Sequence, residues 1–190
     1  MLTRTCFVAA LMAFFGSAAS AQDVASGPKV GDKVPALKVY AVVGMQENKE
    51  VDYAAERKEK PTIYVFVKAK EGGIPEGGRP AGRFLKELDK VVKEANAEAY
   101  IVTVWLTDDE QKTKDYLPRI QMSLKFENMG LTYFQGGLKS PDDWGINTDA
   151  HVTAVIAAKG KVAATFGYMS LNETDVPKVQ EALKKAADGK

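Results

Sequence analysis

Two short runs, Thr62-Ile63-Tyr64-Val65-Phe66-Val67 and Tyr100-Ile101-Val102-Thr103-Val104-Trp105-Leu106, carry apolar β-formers at odd and even positions alike. Successive side chains of a strand leave opposite faces, so such a run is buried only where both faces of its sheet are covered. The chain is thereby committed to an α/β sandwich of three layers, a central mixed β-sheet flanked by helices. Between the two runs, Phe84, Leu85, Leu88, Val91, Val92 and Ala95 recur at helical spacing, with Lys and Glu on the other side. Pro80 stands at the opening of that helix, where its missing N–H leaves nothing unpaired.

The remaining elements follow the same logic. Leu37 to Val43 reads as a first strand, with a turn from Gly44 to Lys49. Thr107-Asp108-Asp109-Glu110 has a capping-box pattern with Thr at the cap, and the helix it opens is expected to break near Pro118. A less regular stretch contains Tyr133, Phe134 and Trp144. His151 to Ala158 and Val162 to Phe166 then read as strands joined by a Lys159-Gly160 turn into an antiparallel hairpin. A final helix starts between Ser170 and Thr174 and shows Val176, Val179, Leu183 and Ala186 on one face. Asn172-Glu173-Thr174 matches a glycosylation acceptor and equally a helix start, and the helix start is the reading adopted.

Residues 1–21 read as a secretion signal. Arg4 precedes a ten-residue apolar run from Cys6 to Phe15, and Ala19-Ser20-Ala21 forms a cleavage pattern before Gln22. The run is shorter than the roughly 20 residues that span a bilayer. Residues 22–36, with Gly27, Pro28, Gly31 and Pro35, read as a flexible leader, and residues 37–190 as the domain. The expected destination is the periplasm or the medium. Cys6 is the only cysteine, so a chain starting at Gln22 has no thiol. It would carry 25 Lys and Arg against 25 Asp and Glu, which does not fit the basic face of a nucleic-acid binder.

Several residue groups are of types that could carry chemistry. Lys68, Lys70 and Arg79 flank a loop from Ala69 to Arg79 with glycines at 72, 73, 77 and 78, feeding a helix N-terminus, a place that can suit an anion. The loop lacks the G-K-[ST] ending of a phosphate loop, and Glu71 and Glu76 lie in it, so a solvated, flexible segment is the plainer expectation. Asp142, Asp143, Asp149 and His151 are spaced irregularly for metal ligands and read as turn and cap residues. Asp108, Asp109 and Glu110 read as first-turn charges. Trp105, Trp144, Tyr133 and Phe134 read as core and edge aromatics. No cofactor or metal is expected.

The element order, the opening Val30-Gly31-Asp32-Lys33-Val34-Pro35-Ala36-Leu37, the Pro61-to-Val67 strand with its loop and long helix, and the closing hairpin and helix together resemble the thioredoxin-like superfamily, on its redoxin and peroxiredoxin branch. The resemblance implies a C-x-x-C motif at the start of the long helix, where Gly78-Arg79-Pro80-Ala81 stand, and a cis-proline where Val152 stands ahead of Thr153. Both markers are gone. A non-catalytic binding or scaffold protein is therefore expected, acting on a protein or small-molecule partner. The alternative is a redoxin role exerted with a partner's cysteines. Lys68, Lys70, Arg79, Pro80, His151 and Thr153 are the candidate binding residues, at the carboxyl ends of the strands, with Arg79 and His151 expected near one another.

Overall fold

A computed structural model describes residues 23–189. The expected signal, with Cys6, lies outside the described residues. One eight-stranded sheet organises the chain: β1 (Asp23–Val24), β2 (Lys38–Val43), β3 (Lys49–Asp52), β4 (Thr62–Lys68), β5 (Tyr100–Leu106), β6 (Met129–Tyr133), β7 (Val152–Ala158) and β8 (Lys161–Tyr168). Their spatial order is β1-β8-β7-β4-β5-β6-β2-β3. β4, β5 and β6 run parallel, and the outer pairings are antiparallel. The helices are α1 (Tyr53–Arg57), α2 (Gly78–Ala95), α3 (Glu110–Leu124) and α4 (Val176–Asp188).

The doubly apolar runs are the two adjacent central strands β4 and β5. Ile63, Val65, Val67, Ile101 and Trp105 point to one core, while Tyr64, Phe66, Val102 and Val104 point to the other. The mixed sheet flanked by helices is the expected sandwich, with unequal outer layers. α2, α3 and α4 all pack on the first face through residues such as Phe84, Leu88, Leu117, Ile120, Val179 and Leu183. For α2 and α3 the reason is topological: β4–α2–β5 and β5–α3–β6 are parallel crossovers stepping the same way across the sheet, and crossovers of one hand lay both helices on one face. The second face is covered by Tyr53 of α1, by Leu37, and by Trp144 and Ile146 from the irregular segment 134–151.

Several local expectations change. The strand β6 stands where irregular structure was expected. Gly130 makes room there for the Tyr53 and Tyr100 hydroxyls, which lie 3.2 and 3.1 Å from where its Cβ would be. Thr103 Oγ1 donates to Gly130 O at 2.7 Å, and Thr132 Oγ1 to Thr103 O at 2.7 Å, adding side-chain bonds to the β5–β6 ladder. The cap of α3 is Asp109, not Thr107: Asp109 Oδ1 accepts from Lys112 N at 3.0 Å, while Thr107 Oγ1 accepts from Asp109 N at 3.1 Å. Nor does Pro118 break α3, because burial of Leu117 and Ile120 against the sheet offsets the roughly 3 kcal/mol that an interior proline costs.

Residues 23–36, read as a leader from their composition, lie against the sheet. β1 pairs with the end of β8, Gly31 N donates to Val162 O at 2.8 Å, and Val162 N donates to Asp32 O at 2.9 Å. The hairpin turn at Lys159-Gly160 has φ of 54° and 73°, matching a type I′ turn. Asn172 starts the last helical segment, its side chain accepting from Thr174 N at 2.8 Å.

Candidate functional site

β4 ends at Lys68, and the chain turns through the glycine-rich loop into α2. That loop is ordered by its own bonds, not the solvated flexible segment its composition predicts. Ala69 N donates to Leu106 O, Lys70 N to Ile74 O, Gly73 N to Lys70 O, and Gly78 N to Pro75 O, all at 2.9–3.1 Å. The buried Trp105 indole donates to Gly73 O at 3.0 Å. Gly73 has φ of 74°, and a Cβ there would lie 2.9 Å from the Thr113 backbone, so the loop is docked against the first turn of α3.

Beside the loop, Lys68 and Glu76 meet His151, which comes from a distant part of the chain. Lys68 Nζ lies 3.1 Å from Glu76 Oε2 and donates to Thr148 O at 2.9 Å. His151 Nε2 lies 3.8 Å from the other Glu76 oxygen. Backbone bonds hold the group: Lys68 N donates to His151 O at 2.9 Å, and Glu76 N to Lys68 O at 2.8 Å. Glu76, which in the sequence counted only against an anion site, is the residue that links the other two. Its signal was its position eight residues after Lys68 on a loop that folds back on the strand.

The other candidates are placed differently. Lys70 is exposed on the loop. Thr153 is buried beneath the surface, its hydroxyl 2.6 Å from Ser26 Oγ, which also accepts from Asn147 N. Pro80 sits half-buried in the first turn of α2. Arg79 lines an open cleft of about 830 Å³ between α2 and α3, whose lining residues do not include His151. Ile74 and Pro75 enter the same cleft, with Arg119 and Tyr116 from α3. No sequence signal marked Arg119, because only the packing of two helices makes it a neighbour of Arg79.

At the positions where the resemblance implies sulfur, Gly78 is half-buried beside open space and Ala81 is fully buried. No cis peptide bond occurs among the described residues, so Val152 follows His151 in the trans form. Tyr168, whose carbonyl accepts from His151 N at 2.8 Å, has a buried hydroxyl without a partner. Burial, with Asp175 and Asp23 adding to it, pushes its ionisation far above the ordinary phenol value and keeps it neutral. Among the described residues, no group of three or more His, Cys, Asp or Glu side chains is arranged to hold a metal ion, and no helix is long and apolar enough to cross a membrane.

No family model and no curated protein matches this sequence. Solved structures do match. A structure from Chlorobium tepidum assigned as the thiol:disulfide interchange protein DsbE is 16% identical, with a TM-score of 0.60 over 84% of this chain and 98% of that one. Peroxidoxin BcpB from Mycobacterium tuberculosis is 15% identical, with a TM-score of 0.55 over 83% and 97%. The exposed lipoprotein thioredoxin Etrx1 from Streptococcus pneumoniae strain TIGR4 is 15% identical, with a TM-score of 0.53 over 77% and 98%. The chain has the thioredoxin-like fold, and it has it with a single cysteine, Cys6, far from the start of α2.

Proposed function

We propose that this protein is an exported, thiol-free thioredoxin-like domain that works by binding a partner and not by thiol chemistry. One observation carries the reading: the first turn of α2 presents Gly78-Arg79-Pro80-Ala81, and no residue after Cys6 is a cysteine. Exchange and peroxide reduction both need a thiolate nucleophile, and methionine, a thioether, cannot take its place. Export rests on the signal-like residues 1–21, and an exposed lipoprotein thioredoxin among the fold neighbours is compatible with it. The binding surface lies at the loop-and-α2 end, with Lys68, Lys70, Arg79, Pro80 and His151 facing the partner and Thr153 supporting them from below.

The test is direct. Purified protein starting at Gln22 is expected to leave insulin disulfides unreduced and peroxide unconsumed beyond the rate without protein. Sustained turnover in either assay would end this reading. Recovery of the protein only from the cell interior, with residues 1–21 still attached, would end the export part alone.

A further inference from the structure

The cleft between α2 and α3 has a floor and a rim of opposite character. Its floor is apolar and includes Leu85, Ile120 and Leu124. Two glycines of α2, Gly78 and Gly82, stand one turn apart along it. A Cβ at Gly78 would meet nothing within 4 Å, and one at Gly82 only Leu124 Cδ1 at 3.9 Å. Gly82 sits inside a helix, where glycine is disfavoured against alanine. Its missing side chain leaves an open track directly on the helix backbone.

The rim is basic in a protein whose overall charge is +1. Arg79, Arg83, Lys86, Lys90 and Arg119 line the cleft against two acids, Glu87 and Glu173. Three of the five cations are engaged: Arg83 with Glu173 at 2.7 Å, Lys90 with Glu87 at 2.9 Å, and Lys86 with the Lys125 carbonyl at 3.0 Å. Arg79 and Arg119 have no ion-pair partner among the described residues. They come from different walls, one from α2 and one from α3. Guanidinium groups are suited to grip a carboxylate through paired N–H donors.

We propose that this cleft binds a single-chain carboxylate amphiphile, such as a free fatty acid, with its head held by Arg79 and Arg119 and its chain along the Gly78–Gly82 track. This rests on the reading that the protein acts by binding and names the ligand class. The volume of about 830 Å³ falls within the roughly 300–1,000 Å³ of small-ligand sites. From Gly78 to Lys90 the α2 wall runs about 18 Å at 1.5 Å per residue, enough for an extended acyl chain. Residues 1–22 of the chain itself are a poor occupant, since they bring Arg4 and no acid to a basic rim.

Titration calorimetry with decanoate, below its micelle concentration, tests the proposal against decan-1-ol, which has the chain without the charge. Decanoate is expected to bind one site, at least about tenfold tighter than decan-1-ol. Lengthening the probe from octanoate to decanoate is expected to strengthen binding by up to about fourfold per buried methylene. The double variant Arg79→Gln/Arg119→Gln is expected to weaken decanoate about tenfold or more and to leave decan-1-ol unchanged. Gly82→Leu fills the track and is expected to weaken both. Absence of saturable decanoate binding up to about 5 mM, equal binding of the alcohol, or indifference to the Arg variant would overturn the proposal. So would a cleft that takes an acidic amphipathic helical peptide and not decanoate. None of these results touches the insulin and peroxide assays, so the ligand class and the thiol-free reading fail separately.

Discussion

Gly72 and Gly73 stand side by side with φ of 81° and 74°, yet only one has room for a side chain. Nothing lies within 4 Å of a Cβ at Gly72, whereas at Gly73 it would sit 2.9 Å from Thr113 Cα and 3.2 Å from Thr113 N. Those are backbone atoms inside α3 and cannot swing aside. Alanine at either position meets the same left-handed backbone penalty of about 1–2 kcal/mol. Either substitution also stiffens the unfolded chain, a stabilisation of about 0.4–1 kcal/mol that cancels in the comparison. Gly73→Ala alone adds overpacking against α3, about 1–3 kcal/mol more. It also displaces the carbonyl that the Trp105 indole bonds. In urea melts, Gly73→Ala is therefore expected to fall below Gly72→Ala by about 1–3 kcal/mol, as a shift in midpoint at an unchanged slope. Two variants equal within about 0.5 kcal/mol would refute the docking of this loop on α3.

Two further outcomes follow from the packing and the caps. Phe66→Ala and Leu88→Ala, both fully buried but in separate cores on opposite faces of the sheet, are each expected to lose about 2–5 kcal/mol in denaturant melts, and the double variant to lose their sum within about 0.5 kcal/mol; marked non-additivity would contradict the two-core description. Asp109 is held below its ordinary 3.8 first by the Lys112 backbone N–H and then by the Lys112 ammonium. Its folded value is depressed, so its stabilisation is full above the unfolded value and is lost as pH falls through the folded one. Between about pH 6 and about pH 2.5, the parent is expected to lose more stability than Asp109→Asn, and equal losses would exclude Asp109 as a charged cap.

The sequence alone reveals whatever a short window of it contains. The parity of Thr62–Val67 and Tyr100–Leu106 requires cover on both faces, and the Lys159-Gly160 dipeptide permits a two-residue turn. The Phe84-to-Ala95 spacing defines a helix. β6 escaped because Met129–Tyr133 is short and carries a glycine, which weakens a strand signal. That glycine is explained only by two tyrosine hydroxyls brought from elsewhere in the chain. Residues 23–36 looked mobile from their Gly and Pro content, and the partners that hold them on β7 and β8 are more than a hundred positions away. The glycine-rich loop misled for the same reason, its anchors being Trp105 and the backbone at Thr113.

The sequence by itself therefore determined the sandwich class and the absence of any cysteine after Cys6, because periodicity and composition are properties of the chain alone. Which ionisable side chains become neighbours was decided only in the tertiary structure. Sheet order brings His151 beside Lys68 across Glu76, and two crossovers of one hand set Arg79 of α2 and Arg119 of α3 along one cleft. Sequence separation carries no information about such pairs. Strand order and crossover hand bring them together, and both emerge only when the whole sheet assembles.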